Sequence, residues 1–121
     1  MPGLSSLGLG REARLSSRRD FQRVFGEGRR TAGRGMILWA CARGRPLPPR
    51  LGLSVSAKLG KAVLRNRLKR LAREAFRHNR DRLRVGSDLV LCLRPGCRWS
   101  DRDEAERDLL NACRKAGLLK Q

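Results

Sequence analysis

The sequence predicts an α+β two-layer sandwich built on one sheet. Three observations carry that expectation. Residues 62–82 have a sustained helical period, the runs near 36–43, 51–55 and 88–94 read as strands, and the elements follow in the order helix, strands, helix, strand, helix. A chain of 121 residues is the size of one domain with one modest core.

Residues 1–15 are rich in Gly, Ser and Leu without a sustained period and read as a flexible N-terminal arm, which leaves 16–121 as the single domain. Within the arm, "GLGREA" (Gly8 to Ala13) matches a dinucleotide fingerprint, but no strand precedes it and no acidic ribose ligand follows, so it carries no functional reading. At "SSRRDFQRVFGEG", Ser16 or Ser17 can cap a short helix that Gly26 or Gly28 ends. Phe21, Val24 and Phe25 share one face of it. The two phenylalanines are either core or an aromatic platform for unpaired bases.

The turn "GEGRRTAGRG" leads to "MILWACAR", a strand carrying Trp39. A loop with Pro46, Pro48 and Pro49 then leads into "RLGLSVSAK", whose alternation from Leu51 to Val55 predicts an antiparallel strand. In the helix over 62–82, Leu64, Leu68, Leu71 and Ala75 fall within roughly 60° of arc at about 100° per residue, while Arg65, Asn66, Lys69, Arg70, Arg73 and Arg77 spread over the other side. "VGSDLVLCLRPG" is bounded by Gly and Pro and predicts a buried strand from about Asp88 to Arg94. The last helix, 100–116, has Ser100 as its cap, acids in its first turn and Arg114 and Lys115 in its last, which complements the helix dipole. Its acids predict that it faces away from a polyanion. A strand-helix-strand connection crosses over right-handed by default.

The balance of 29 Lys plus Arg against 11 Asp plus Glu, a formal charge of +18, makes nucleic acid the first partner to consider. With no long apolar segment and no signal-peptide pattern in the opening residues, a cytoplasmic location is expected. Cys41, Cys92, Cys97 and Cys113 are too widely spaced for paired zinc ligands and read as reduced thiols. His78 is the sole histidine and the acids Asp81, Asp88 and Asp101 are dispersed, so no nuclease site of clustered carboxylates or paired histidines is visible.

The basic stretch "GKAVLRNRLKRLAREAFR" admits three readings. A solvated face would mix signs for i, i+4 support, yet only Glu74 is acidic. A DNA-reading helix-turn-helix needs a positioning helix just before it, where a strand is predicted. A face that tracks the phosphates of structured RNA fits best.

"SVSAKLGKAVLRNRLKRLAREAFR", together with "DFQRVF", "RLGLSVS" and "DLVLCLRPG", resembles the protein subunit of bacterial ribonuclease P. The resemblance spans most of residues 16–116. It implies an αβββαβα order with a mixed four-stranded sheet, a short strand near Arg29 to Ala32 and a left-handed βαβ crossover. It further implies that Arg65, Asn66, Arg67, Lys69, Arg70 and Arg73 contact ribonuclease P RNA, and that Phe21, Phe25, Trp39, Lys58 and Lys61 lie in or near a cleft for the 5′ leader of precursor tRNA. The RNA subunit would bind Mg²⁺ and make the endonucleolytic cut, with one protein per RNA. Many relatives carry two adjacent lysines after "SVS" where this chain has Ala57 then Lys58, and with no Tyr anywhere Trp39 must supply the strand aromatic. The alternatives from other classes are a small ribosomal-RNA-binding structural protein and, more distantly, a stand-alone metal nuclease.

Overall fold

The computed structural model describes residues 10–120. Helix α1 (Arg18–Glu27) starts where the Ser17 hydroxyl accepts from the Asp20 amide at 3.0 Å, and stops at Gly28. A side chain at Gly28 would stand 2.8 Å from the Ala40 carbonyl, so glycine lets the chain turn directly against the sheet. Strands β1 (Arg29–Ala32) and β2 (Met36–Ala42) form a hairpin. They are followed by β3 (Arg50–Val55), α2 (Ala62–Asn79), β4 (Ser87–Leu93) and α3 (Arg102–Lys115). The order is αβββαβα, with β1 at the place the family resemblance implies.

The sheet runs β1-β2-β4-β3, antiparallel except for the β3–β4 pair. The expected antiparallel pairing of β3 is thus corrected to parallel: side chains alternate with period two in either arrangement, and only the intervening helix α2 sets the direction. Leu51 sends its side chain into the layer of α2 and α3, while its carbonyl turns to the outer edge and accepts from the Leu15 amide at 2.9 Å. For an L-residue these two directions place β4 on the left of an upward-pointing β3, viewed from the helices. The crossover through α2 is left-handed, against the general preference and as the resemblance implies.

One face of the sheet packs on α2 and α3 around Met36, Leu38, Leu89, Leu91, Leu68, Phe76 and Leu109. The stripe expected on α2 is rotated. Leu64 is 39% exposed and Leu71 only half-buried, whereas Leu68, Ala72, Ala75, Phe76 and Asn79 are buried. Two helices share this layer, so α2 must serve both the sheet and α3. The α-helix ends at Asn79, and Arg80–Arg82 form a 3-10 turn. The cap of α3 is Asp101, not Ser100: Asp101 accepts from the Glu104 amide at 3.0 Å, while Ser100 bonds the Glu104 carboxylate.

Of the expected N-terminal arm, residues 1–9, including Gly8 of the dinucleotide-like motif, lie outside the described residues. Residues 10–15 are packed. Ala13 and Leu15 are buried and Arg14 pairs with Leu51 in a parallel bridge on the free edge of β3.

Candidate nucleic-acid interface

The second face of the sheet is covered by α1 alone. Leu15, Val24, Cys41 and Val90 form a small core there, flanked by Phe21, Trp39 and Cys92. The rings of Phe21 and Phe25 lie 6.2 Å apart, and Phe25 meets Trp39 edge-on at 5.4 Å and 84°. The three aromatic residues expected together are therefore one cluster. Phe21 lies over Gly52, where a Cβ would stand 2.7 Å from its ring, so the glycine makes the seat for this side chain. Phe25 remains 38% exposed and Phe21 and Trp39 half-buried, a compromise between the core and platform readings. Beyond the cluster, the register aligns Ser54, Cys92 and Ile37, all half-exposed, as the open floor of a cleft beside α1.

What holds α1 in place was not legible as a site. Asp88 is fully buried and receives Arg23 of α1, Arg50 Nε and Nη2 at 2.8 Å, and Arg43 at 3.4 Å. Burial alone would raise the pKa of its carboxyl, but the hydrogen bonds from Arg50 and Arg23 more than offset this and hold it below the usual carboxylate range. A lone acid entering an apolar strand run was the only sequence signal for this cluster.

On α2, Asn66, Arg67, Arg70 and Arg73 are exposed and Arg65 and Lys69 half-buried. Arg65 Nε is buried with no hydrogen-bond partner. Glu74 is taken by Arg77 at 3.1 Å, so among the described residues Arg65, Lys69, Arg70 and Arg73 have no carboxylate within ion-pair reach. Arg67 differs from its neighbours: it donates to the carbonyls of Trp99 and Ser100 and so links the start of α2 to the entry of α3. Lys58 sits in the turn Ala57–Leu59 after β3 and Lys61 just before α2, both exposed and beyond the strand end rather than among the rings.

A groove of about 470 Å³ joins the two regions across the β3 edge. Its floor is Leu15, Phe21, Leu51 and Leu53, and its rim is Arg11, Arg14, Lys69 and Arg73. Arg11 and Arg14 were missed because they fall in the segment read as a loose arm. His78 lies on the surface, with Nε2 between Arg102 at 2.9 Å and Arg77 at 3.2 Å. All four cysteines are free, and burial pushes the Cys113 thiol up to about 12. Among the described residues no three His, Cys, Asp or Glu side chains gather as metal ligands, and no helix is long and apolar enough to cross a membrane.

The arrangement offers cations, an aromatic cluster and a groove, the equipment for holding a polynucleotide. Comparison with known proteins gives the same direction. The family model described as Ribonuclease P matches residues 9–117. A ribonuclease P protein component of Brevibacillus brevis is 38% identical over 111 residues, covering 92% of this chain and 88% of the relative. One from Geobacillus kaustophilus is 37% identical over 108 residues, covering 89% of each. Among solved structures, the Staphylococcus aureus RNase P protein superposes with a TM-score of 0.79 at 30% identity, covering 89% of this chain and 98% of that one. The Thermotoga maritima RNase P protein superposes with a TM-score of 0.71 at 35% identity, covering 81% and 92%. The chain belongs to the ribonuclease P protein family and is a protein component of that ribonucleoprotein endoribonuclease.

Proposed function

We propose that this chain binds ribonuclease P RNA through Arg65, Asn66, Arg67, Lys69, Arg70 and Arg73 on α2, and holds the 5′ leader of precursor tRNA along the cleft of Phe21, Phe25 and Trp39. The observation that carries this reading is the shared groove, since Phe21 lines it on one side and Lys69 and Arg73 on the other. A single-stranded leader laid there meets apolar and aromatic surface with its bases and guanidinium or ammonium groups with its phosphates. Lys58 and Lys61 add charge where the strand ends. Asn66 contributes an amide that both donates and accepts, so it can fix backbone geometry where a charge cannot.

The chemistry belongs to the RNA. Mg²⁺ sits on the RNA subunit, and the protein lowers the repulsion between two polyanions, each neutralised phosphate contributing a salt-dependent increment of about 0.7–0.9 in log K per decade of salt. One protein acts per RNA, in the cytoplasm. The ribosomal-RNA alternative has only charge and size in its favour.

In the test, purified protein alone leaves precursor tRNA intact, whereas protein with ribonuclease P RNA and Mg²⁺ releases the leader. Arg65→Ala with Arg70→Ala weakens assembly with the RNA, while Phe21→Ala with Phe25→Ala lowers affinity only for substrates that carry a leader. Cleavage by the protein alone, or recovery of ribosomal rather than ribonuclease P RNA with the tagged protein, overturns the reading.

A further inference from the structure

The last helix, whose acids predict that it faces away from polyanions, carries a second basic surface. A groove of about 610 Å³ lies between the β1–β2 turn, the segment after β4 and the outer side of α3, and Arg34, Arg98 and Arg107 line it. A smaller recess of about 270 Å³ continues from Arg34 to Arg114 and Lys115. All five cations are exposed, and among the described residues none has a carboxylate within ion-pair reach.

The acids in the groove are already engaged. Asp108 is buried in its floor, with Oδ1 accepting from the Arg34 amide at 2.8 Å and Oδ2 from the Gly35 amide at 2.7 Å and Trp99 Nε1 at 2.9 Å. Glu104 accepts from the Ser100 amide and hydroxyl. The site is thus cationic toward solvent, and the buried carboxylate braces the turn that presents Arg34.

The lining also tells which polyanion fits. A protein partner is anchored by exposed apolar or aromatic side chains. Among the described residues the exposed large hydrophobics are Phe25, Leu47, Val63, Leu64 and Val85, and none lines the groove. Trp99 is buried with its N–H taken, so no ring is offered for stacking bases. What remains is a row of guanidinium forks, suited to the phosphodiester backbone of a folded RNA.

The surface is separate from the leader cleft and its groove. It lies along β1, the sheet edge opposite β3, three strand spacings or about 14 Å away. It is nevertheless continuous with α2, because Arg67 bonds the carbonyls of Trp99 and Ser100, next to Arg98. We infer that Arg34, Arg98, Arg107, Arg114 and Lys115 bind a second backbone segment of the same RNA that α2 meets, an inference that rests on the reading of α2 given above.

The full-length Arg98→Ala/Arg107→Ala/Arg114→Ala variant, with helix content and thermal midpoint checked against wild type, is titrated with ribonuclease P RNA across a salt series. Arg65→Ala/Arg70→Ala serves as the reference. The triple variant lowers the slope of log K against log salt by about 2–3 and leaves leader-dependent affinity in the assembled enzyme unchanged. An unchanged slope in the triple variant, with affinity lost in the reference, overturns this inference alone. Wild-type affinity in both overturns the reading of α2 as well. Intact RNA binding with lost binding of a polyglutamate probe assigns the groove to an acidic protein and overturns the inference too.

Discussion

The two faces of the sheet bury one carboxylate each, and they satisfy it by opposite means. Asp108, carried by α3, is answered by two backbone amides and an indole N–H, all neutral donors. Asp88, under α1, is answered by three arginines. The first sits in a face sealed by two helices with Phe76 at its centre; the second sits in a face covered by one short helix. The difference teaches how the face proposed to hold the leader can stay open. Because charge pins α1 to the sheet, Phe25 and its neighbours need not be fully buried to hold the helix in place.

The largest break in this comparison comes from the sealed face. Phe76→Ala removes a fully buried ring from between sheet and helices and costs about 3–5 kcal/mol, read as a lowered denaturation midpoint. A loss below 1 kcal/mol would show that this core is not what holds the fold. Next is Asp88→Ala, which leaves Arg43 with no carboxylate in reach and Arg23 and Arg50 crowded around Asp20 alone, at 3.6 and 3.9 Å. After allowance for the partial exposure of the arginines the cost is about 2–3 kcal/mol. Leader affinity in the assembled enzyme falls with it, because α1 carries Phe21 and Phe25. By contrast, Asp108→Asn costs about 1–2 kcal/mol, by setting an amide N–H against a donor, and its effect is insensitive to salt.

The pH dependence sharpens the same contrast. The folded-state pKa of Asp88 is depressed, so its contribution is complete above the unfolded value of about 3.9 and is lost as pH falls from there through the folded pKa. Wild type and Asp88→Asn therefore differ in stability by a constant amount at neutral pH and converge below about pH 4, measured by denaturation at fixed ionic strength. The smallest stability effect is that of Phe25→Ala. At 38% exposure the ring loses about 1 kcal/mol of burial or less, while affinity for leader-bearing substrate drops and affinity for leaderless substrate does not. Equal losses for both substrates would place Phe25 in the fold rather than in the cleft.

Much of this was legible from local chemistry. The Ser17 cap, the period of α2 and the bounded run of β4 depend on neighbours within a few residues; the cap stands where the pattern puts it, β4 within one residue, and α2 starts at the expected residue and ends three residues early. The aromatic cluster was legible in part, because Phe21 and Phe25 share a helix face by spacing alone. Trp39 joined them through the resemblance and not through any local signal. Arg11 and Arg14 were not legible, since a short segment becomes ordered only by pairing with Leu51, some forty residues away. The second basic surface was hidden for a related reason. Arg34, Arg98 and Arg107 come from three separate segments, and the acids beside them on α3 suggested the opposite charge until Glu104 and Asp108 were found occupied.

By itself the sequence determined the helices, the run of positive charge on α2, the preference for a polyanion and, through its long specific block, the family. These follow from the period of side chains along one segment and from composition, which no distant contact alters. Local sequence pattern left open, and the tertiary structure decided, that β3 runs parallel to β4 and that the crossover is left-handed, both as the family resemblance implies, and that Asp88 gathers three arginines. It also rotated the buried stripe of α2 toward Phe76. An alternating strand is equally compatible with either neighbour and either hand, and a charge has no fixed value until burial sets its surroundings, so these outcomes depend on which surfaces the whole chain brings together.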